Sequence, residues 1–463
     1  MLQCPTVAGV AELADAQDSG SCGVKPVEVR FLSPALLAFA REDFDAEIKP
    51  LSISSRSRWR RPSAGFALIY LDNNATTQPA EEVVSAIDES LRENWGNPSS
   101  ISAGGLRARQ AVEQAREQVA QLIGCSPREI IFTSGGTESC NLALSGSLGG
   151  SLGTEAAGRK VIVTTRFEHS AVRECAQELA NRLVNQEAEV LWLEGGSDGV
   201  IDPKRLEDLL QRRASEIAIV SVMWANNESG VLQPIAELGS ICRQYGVRFH
   251  TDATQWVGRM PTDVSSMEVD LLTMSAHKFH GPKGVGALYC RRGTVLRSAI
   301  IGGPQERNRR GGTENVTGII GMGVAAELSQ SWLSLSPNPW THFEALRNQF
   351  EELVCAGIPN AIVLASQNRR VWNTSNIAFT NLEAEAVLIN LAKHDVAASA
   401  GAACSSGSLD PSPVLLAMGI APEIAHGAVR FSISRNTTKS EIISAAKAVI
   451  ESVELLLRSM PSV

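Results

Sequence analysis

The sequence predicts an α/β fold: a large, mostly parallel sheet with helices on both faces, joined to a smaller second domain. Three observations carry this. From about Tyr70 onward, short apolar runs alternate with helical stretches. The runs are apolar along their whole length, as in strands buried on both faces. After about Leu333 the alternation gives way to fewer strands, longer helices and a loop rich in Gly, Ala and Ser.

The elements follow in order. Ala80 to Trp95 reads as a helix stopped by Gly96-Asn97-Pro98. Glu129 to Thr133 is a short strand, followed by Ser134-Gly135-Gly136 and a helix. Lys160–Thr165, Val190–Leu193 and Ile217–Met223 are strands, with helices at Ser170–Leu183, Pro203–Arg213 and Pro234–Tyr245 between and after them. Val247–Thr251, Leu271–Ser275 and Val285–Cys290 are further strands. The expected division is a large domain over 83–333 and a small one from 67–82 and 334–463, with 1–66 standing apart.

The chain has 463 residues, 44% hydrophobic and 20% charged, which allows two to four domains and excludes a wholly disordered chain. No window approaches the ~18 uninterrupted apolar residues of a membrane span, so no membrane partner is expected. A net charge of -8 argues against a dedicated nucleic-acid binder. Nine scattered cysteines in a long chain argue against a disulfide scaffold and for a reducing, cytoplasmic setting. No CxxC or Cys/His zinc spacing occurs, so no resident metal is expected. The ordinary reading of any one cysteine is a small buried hydrophobe.

Residues 1–48 set Lys25, Arg30 and Arg41 against eight acids, a charge of -5, whereas 49–65 carry five basic residues and no acid. Neither part has sustained apolar periodicity or a secretory core, and the acids argue against a transit peptide. Ala11–Gly20 and Val27–Pro34 resemble the conceptual translation of a bacterial transfer-RNA gene. No methionine stands between Met1 and Met223. The expectation is therefore that this leader is disordered or lies upstream of the true start, the working protein being some 400 residues.

Polar, non-repetitive residues cluster where strands end, the usual ligand edge of such sheets. They are Thr133–Ser139, Glu168-His169, Asn226-Asn227-Glu228, Asp252–Gln255 and Ser275–Lys278. Ser134-Gly135-Gly136-Thr137 exposes backbone N–H groups at a helix start, which suits an anion, although a plain tight turn does the same. Asp252 reads equally as a helix N-cap or as a functional carboxylate. Lysines are usually solvated, but Lys278 follows an apolar strand among His and Gly, and is one of only nine lysines. A buried lysine can form a Schiff base. A lysine for an aldehyde, a glycine turn for a phosphate and an acid for a ring nitrogen suit pyridoxal phosphate.

At these motifs the sequence resembles the pyridoxal-phosphate-dependent cysteine desulfurases of the NifS/IscS type, in the class V aminotransferase superfamily. The resemblance runs from about Ile69 to Ile450. It rests on Tyr70–Thr77, Gly96–Ser100, Phe132–Ser139, Asn226–Gly230, His250–Gln255, the lysine motif, Gly311–Asn315 and Arg430-Phe431-Ser432. It implies a fold-type-I transferase with a smaller α+β domain, acting as a homodimer. Residue by residue, it implies Lys278 as the Schiff-base lysine, Asp252 at the pyridine nitrogen, and Gln255 and Asn227 near the ring oxygen. His169 would stack on the ring. Gly136, Thr137, Ser275 and His277 would bind phosphate, with Thr313 reaching in from the other subunit. Arg430, with Asn227, would bind the substrate carboxylate.

The resemblance makes Cys404 the sulfur acceptor, in the small-residue loop Ala398–Ser408 that resembles the IscS-like rather than the shorter SufS-like loop. The implied reaction converts L-cysteine to L-alanine, leaving a persulfide on Cys404 for an iron–sulfur scaffold or a sulfur carrier in cluster assembly or thiolation. Cys404 would also be able to ligate a cluster transiently. The rivals are another class V enzyme, such as an aminotransferase or selenocysteine lyase, and a non-catalytic cofactor-binding subunit. In one departure, Ser102 stands where relatives have His.

Overall fold

The computed structural model describes residues 68–148, 158–182, 189–335, 338–400 and 411–459. The expected leader and Cys404 lie outside these residues. Phe66–Val463 form one compact unit.

The chain enters through β1 (Ile69–Tyr70), which pairs in parallel with β11 (Val396–Ala397). The large sheet holds β2 (Ile130–Thr133), β3 (Val161–Thr165), β4 (Glu189–Leu193), β5 (Ile217–Ser221), β6 (Arg248–Asp252), β7 (Leu271–Ser275) and β8 (Gly286–Cys290). Their spatial order is β2-β8-β7-β6-β5-β3-β4. Neighbours run parallel from β7 to β4, while β8 is antiparallel to both β7 and β2. The mostly parallel sheet is therefore present, with one reversed strand. β3 lies between β5 and β4, so the chain steps outward to β4 and then returns across β3. That reversal opens a crevice at the carboxyl ends of β3 and β5.

Strand side chains alternate between two cores. Ile130, Phe132, Val163, Leu272 and Met274 join one, and Ile131, Ile162, Ile219, Leu271 and Leu288 the other. Helices cover both faces. α1 (Glu81–Glu93) and α2 (Ala103–Ile123) pack on α7 (Val316–Leu333). α3 (Gly136–Ser147) packs on α4 (Ser170–Arg182), and α5 (Pro203–Arg213) on α6 (Ile235–Gln244). β4 departs from the all-buried expectation because it is an edge strand: four of its five residues are half-buried.

α2 is absent from the sequence reading. Four of its nine buried residues are Gly or Ala (Gly105, Ala108, Ala115 and Ala120) and a fifth is Arg116, so its apolar pattern is faint. Its ends are well marked. The Ser102 side chain accepts the Gly105 amide at 3.3 Å as N-cap, and Gly124 closes the helix at φ 69°. Ser102 is thus a helix cap in this chain.

Beyond α7, β9 (Ala361–Val363), β10 (Thr374–Phe379), β12 (Ser399–Ala400) and β13 (Ala428–Ser432) form an antiparallel sheet in the order β12-β13-β10-β9. α8 (Thr341–Gly357), α9 (Ala384–Lys393) and α11 (Lys439–Ser459) pack around a third core that includes Phe350, Ile377, Phe379, Val429, Phe431 and Val449. The short α10 (Pro413–Ala417) precedes β13. Leu71 belongs to this third core, so the segment after β1 runs from the small sheet to the edge of the large one.

Candidate active site

Four turns meet at the carboxyl ends of the parallel strands, and Asn74 ties them together. The Asn74 carbonyl accepts from Lys278 Nζ at 2.5 Å and from Gln255 Nε2 at 3.0 Å. Its side-chain amide donates to the Asn227 carbonyl (3.0 Å) and to Thr374 Oγ1 (2.9 Å). Lys278 Nζ also donates to the Ala75 carbonyl at 2.8 Å. Lys278 ends a short 3-10 turn after β7 and is half-buried. Lys278, Gln255 and Asn227, from three separate strands, are thus gathered around one asparagine.

Asp252 closes β6, is only 6% exposed, and accepts the Thr254 amide at 2.9 Å. No helix begins there, so its place is a strand end and not a cap. Behind it lies buried His250, hydrogen-bonded to Ser221 Oγ (2.8 Å) and Thr273 Oγ1 (3.0 Å). Burial pushes this imidazole down to about 4, so it is neutral at pH 7.

At the end of β3, Glu168 is fully buried. Its Oε1 accepts the Met223 amide (2.8 Å) and the Thr165 hydroxyl (3.2 Å), while Oε2 has no partner. Burial first, and then the Asp252 charge, raise this carboxyl to about 8. The next residue, His169, caps α4: its carbonyl accepts the Val172 amide (2.9 Å) and its Nδ1 the Ala171 amide (3.1 Å). Accepting at Nδ1 places the proton of a neutral ring on Nε2.

α3 begins at Gly136, whose neighbours are close: an added Cβ would lie 3.2 Å from Thr254 Oγ1 and 3.6 Å from Ser275 Cβ. Thr254 Oγ1 is buried without a hydrogen-bond partner. Gly136, Thr254 and buried Ser275 therefore border one spot at a helix N-terminus, where backbone amides favour an anion. Thr137 is exposed on the same first turn. His277 shares a 3.2 Å contact with Thr76 Oγ1, and burial, with Lys278, Lys283 and Arg259, drops its ring to about 4.

Arg430, on β13, is 3% exposed. It donates to Asp72 Oδ1 at 2.8 Å and to the Asn227 carbonyl at 3.1 Å, while its Nε and the Asn227 Oδ1 are buried without partners. The small sheet thus delivers a guanidinium to the loop that follows β5. Thr313 stands apart, exposed, and lines a separate cleft of about 180 Å³ with Ser134, Arg310 and Glu314.

Sequence reading assigned no role to Asp72, Asn74, Thr254, Glu228 or Arg259. Asp72, Asn74, Thr254 and Glu228 lie inside motifs that the sequence singles out, so a signal existed. Arg259 carried none. Among the other cysteines, burial raises the thiols of Cys125 to about 12 and Cys290 to about 11, in keeping with inert side chains. No cluster of metal-ligating side chains occurs among the described residues, nor a described helix long and apolar enough to cross a membrane.

Residues 69–444 match the model of the family described as aminotransferase class-V. The chain is 44% identical over 396 residues to cysteine desulfurase 2 of Trichormus variabilis, covering 86% of this chain and 96% of that protein. It is 44% identical over 378 residues to the cysteine desulfurase NifS of Azotobacter vinelandii, covering 81% and 90%. Among solved structures, a NifS-like protein aligns with a TM-score of 0.76 and 34% identity, over 84% of this chain and all of that one.

Proposed function

The chain belongs to the aminotransferase class-V family, and within it we propose a pyridoxal-phosphate-dependent cysteine desulfurase that forms a persulfide on Cys404. The observation that carries this reading is the gathering of Lys278, Asp252 and Arg430 at one edge of the sheet, in a chain alike to cysteine desulfurases along most of its length.

The residues present fit the cofactor. Thr254 Oγ1 and Asn227 Oδ1 are buried oxygens without partners, and a Cβ at position 136 would crowd Thr254 Oγ1 at 3.2 Å at the start of α3. Lys278 would hold the aldehyde carbon, Asp252 the ring nitrogen, and His169 the ring face. Gly136, Thr137, Ser275 and His277 would hold the phosphate, with Thr313 supplied by a second copy in a homodimer. Gln255 and Asn227 would flank the ring oxygen. When bound, the cofactor supplies an electron sink for an amino acid that loses its Cα proton.

The chain's own residues do the rest. Arg430 holds the carboxylate of L-cysteine through its fork of donors. Lys278 Nζ takes the Cα proton. His169 Nε2 carries a proton to or from the reacting group. The Cys404 thiolate attacks the substrate sulfur: an S–S bond forms, the Cβ–S bond breaks, and Cβ keeps the electron pair and takes up a proton. L-cysteine and one thiol thus become L-alanine and one persulfide, with atoms and electrons balanced. The persulfide sulfur then passes to an acceptor, an iron–sulfur scaffold or sulfur-carrier protein in the cytoplasm.

The test is turnover of L-cysteine with a thiol reductant. Equal yields of alanine and sulfide, with a persulfide trapped on Cys404, are expected. Turnover of alanine with glyoxylate and none of cysteine would replace this reading with an aminotransferase.

A further inference from the structure

Arg259 follows β6 in the turn that begins at Ala253, and its side chain is almost wholly enclosed, at 5% exposure. Its NH1 donates to Asn74 Oδ1 (2.8 Å), Gln255 Oε1 (2.6 Å) and Asn373 Oδ1 (3.4 Å). Its NH2 donates to the carbonyls of Asn73 (3.0 Å) and Lys278 (3.3 Å). Every one of these acceptors is neutral, and no carboxylate pairs with Arg259 among the described residues. Burial and the neighbouring Arg430 push the guanidinium down from its ordinary value, yet an arginine so lowered keeps its charge.

A buried cation without a counter-charge is costly, and apolar packing would ordinarily serve better. What Arg259 holds suggests the return. It grips the Lys278 carbonyl and, through Asn73 and Asn74, the turn whose carbonyls receive Lys278 Nζ. It also fixes the Gln255 amide by taking its oxygen, which leaves Nε2 to meet the Asn74 carbonyl. The backbone serves the same end: at Gly258 (φ 78°) a Cβ would lie 2.5 Å from Phe279 Cβ, so the turn presses on the residue after Lys278.

We propose that Arg259 is a positioning residue that aims the Lys278 amine and, by its unbalanced positive charge, disfavours a second positive charge on that nitrogen. The proposal rests on Lys278 being the cofactor-bearing lysine. The surrounding titratable and charged groups are Arg430 on β13, Arg435 beyond it, His277 and His280 beside Lys278, Lys283, and Asp252 at the end of β6. Asp72 is taken by Arg430. Burial holds both histidines near 4, so neither titrates between pH 6 and 10.

The test uses the full chain loaded with pyridoxal phosphate and reads the visible band of the lysine-linked cofactor as a function of pH. Arg259→Gln should raise the midpoint of that titration by about one pH unit, since a buried charge held against the Lys278 carbonyl and the Asn73-Asn74 turn is worth about that much in a site of intermediate dielectric. Arg259→Lys, which loses the fork, should slow capture of added cofactor by the stripped protein about tenfold. Asn74→Asp, which sets a carboxylate against the guanidinium, should raise the midpoint without touching Arg259, and it tests the idea even if Arg259→Gln does not fold. Unmoved midpoints in both charge-changing variants would overturn the proposal alone. No visible band in the unsubstituted protein would overturn the cofactor reading and this proposal with it.

Discussion

Glu168→Gln should make the protein less sensitive to rising pH, by an amount the structure sets. The Glu168 carboxyl is raised from 4.5 to about 8, first by burial and then by Asp252. Between those values the folded chain holds a proton that the unfolded chain has released. Its contribution is therefore fully favourable only below about 4.5, and stability falls as pH climbs toward 8. Each pH unit inside that window is worth about 1.4 kcal/mol, so the two units from 5.5 to 7.5 cost the wild-type chain about 2–3 kcal/mol. Glutamine is the neutral mimic of the protonated acid. Its oxygen still accepts the Met223 amide and Thr165 hydroxyl that now bond Oε1. Paired urea unfolding curves at pH 5.5, 6.5 and 7.5, at one protein concentration, read the difference between the two proteins. It should move by about 2 kcal/mol in favour of Glu168→Gln as pH rises. A difference constant within about 0.5 kcal/mol would mean that Glu168 titrates as an ordinary carboxyl and that the argument from burial fails.

Cys404→Ala should keep the yellow band of the bound cofactor and lose sulfide release from L-cysteine to background, read by absorbance and by sulfide assay. Lys278→Ala should fold normally by circular dichroism yet never develop the visible band of a lysine-linked cofactor. Ser412→Ala removes the hydroxyl that donates to the buried Glu228 carboxylate and accepts the Val414 and Leu415 amides at the start of α10. Losing a cap and stranding a buried acid together should cost about 2–4 kcal/mol in urea unfolding.

What the sequence displays and what it hides follow from the range of the interactions. Leu271–Ser275 and Pro203–Arg213 have the bounds read from the chain, because apolar runs and a Pro at the helix start are local signals. Lys278 stands out locally too: a rare lysine after an apolar strand, between histidines. Arg259 does not, because it is one of 33 arginines and its meaning lies in contacts with Asn73 and Asn373, which are 186 and 114 positions away. α2 was hidden for a different reason, since small residues bury a face without strong apolar contrast.

The same range argument explains why the site stands where two sheets meet. Parallel strands all point their carboxyl ends to one edge, so β3, β5, β6 and β7 bring His169, Asn227, Asp252 and Lys278 together. That edge's own buried cation, Arg259, is engaged by neutral acceptors, so an incoming anion needs another. β13 supplies it as Arg430, and the segment after β1 holds it there through Asp72 while Asn74 reaches Lys278, Gln255 and Asn227. The segment is anchored on the small sheet, with Ser432 accepting the Asn73 amide and side chain on its carbonyl and the Asn74 amide on its hydroxyl. A change that loosens residues 72–74 should therefore disturb the lysine, the Arg430 guanidinium and the Gln255 amide at once. Replacing any one of those three groups should leave the other two in place.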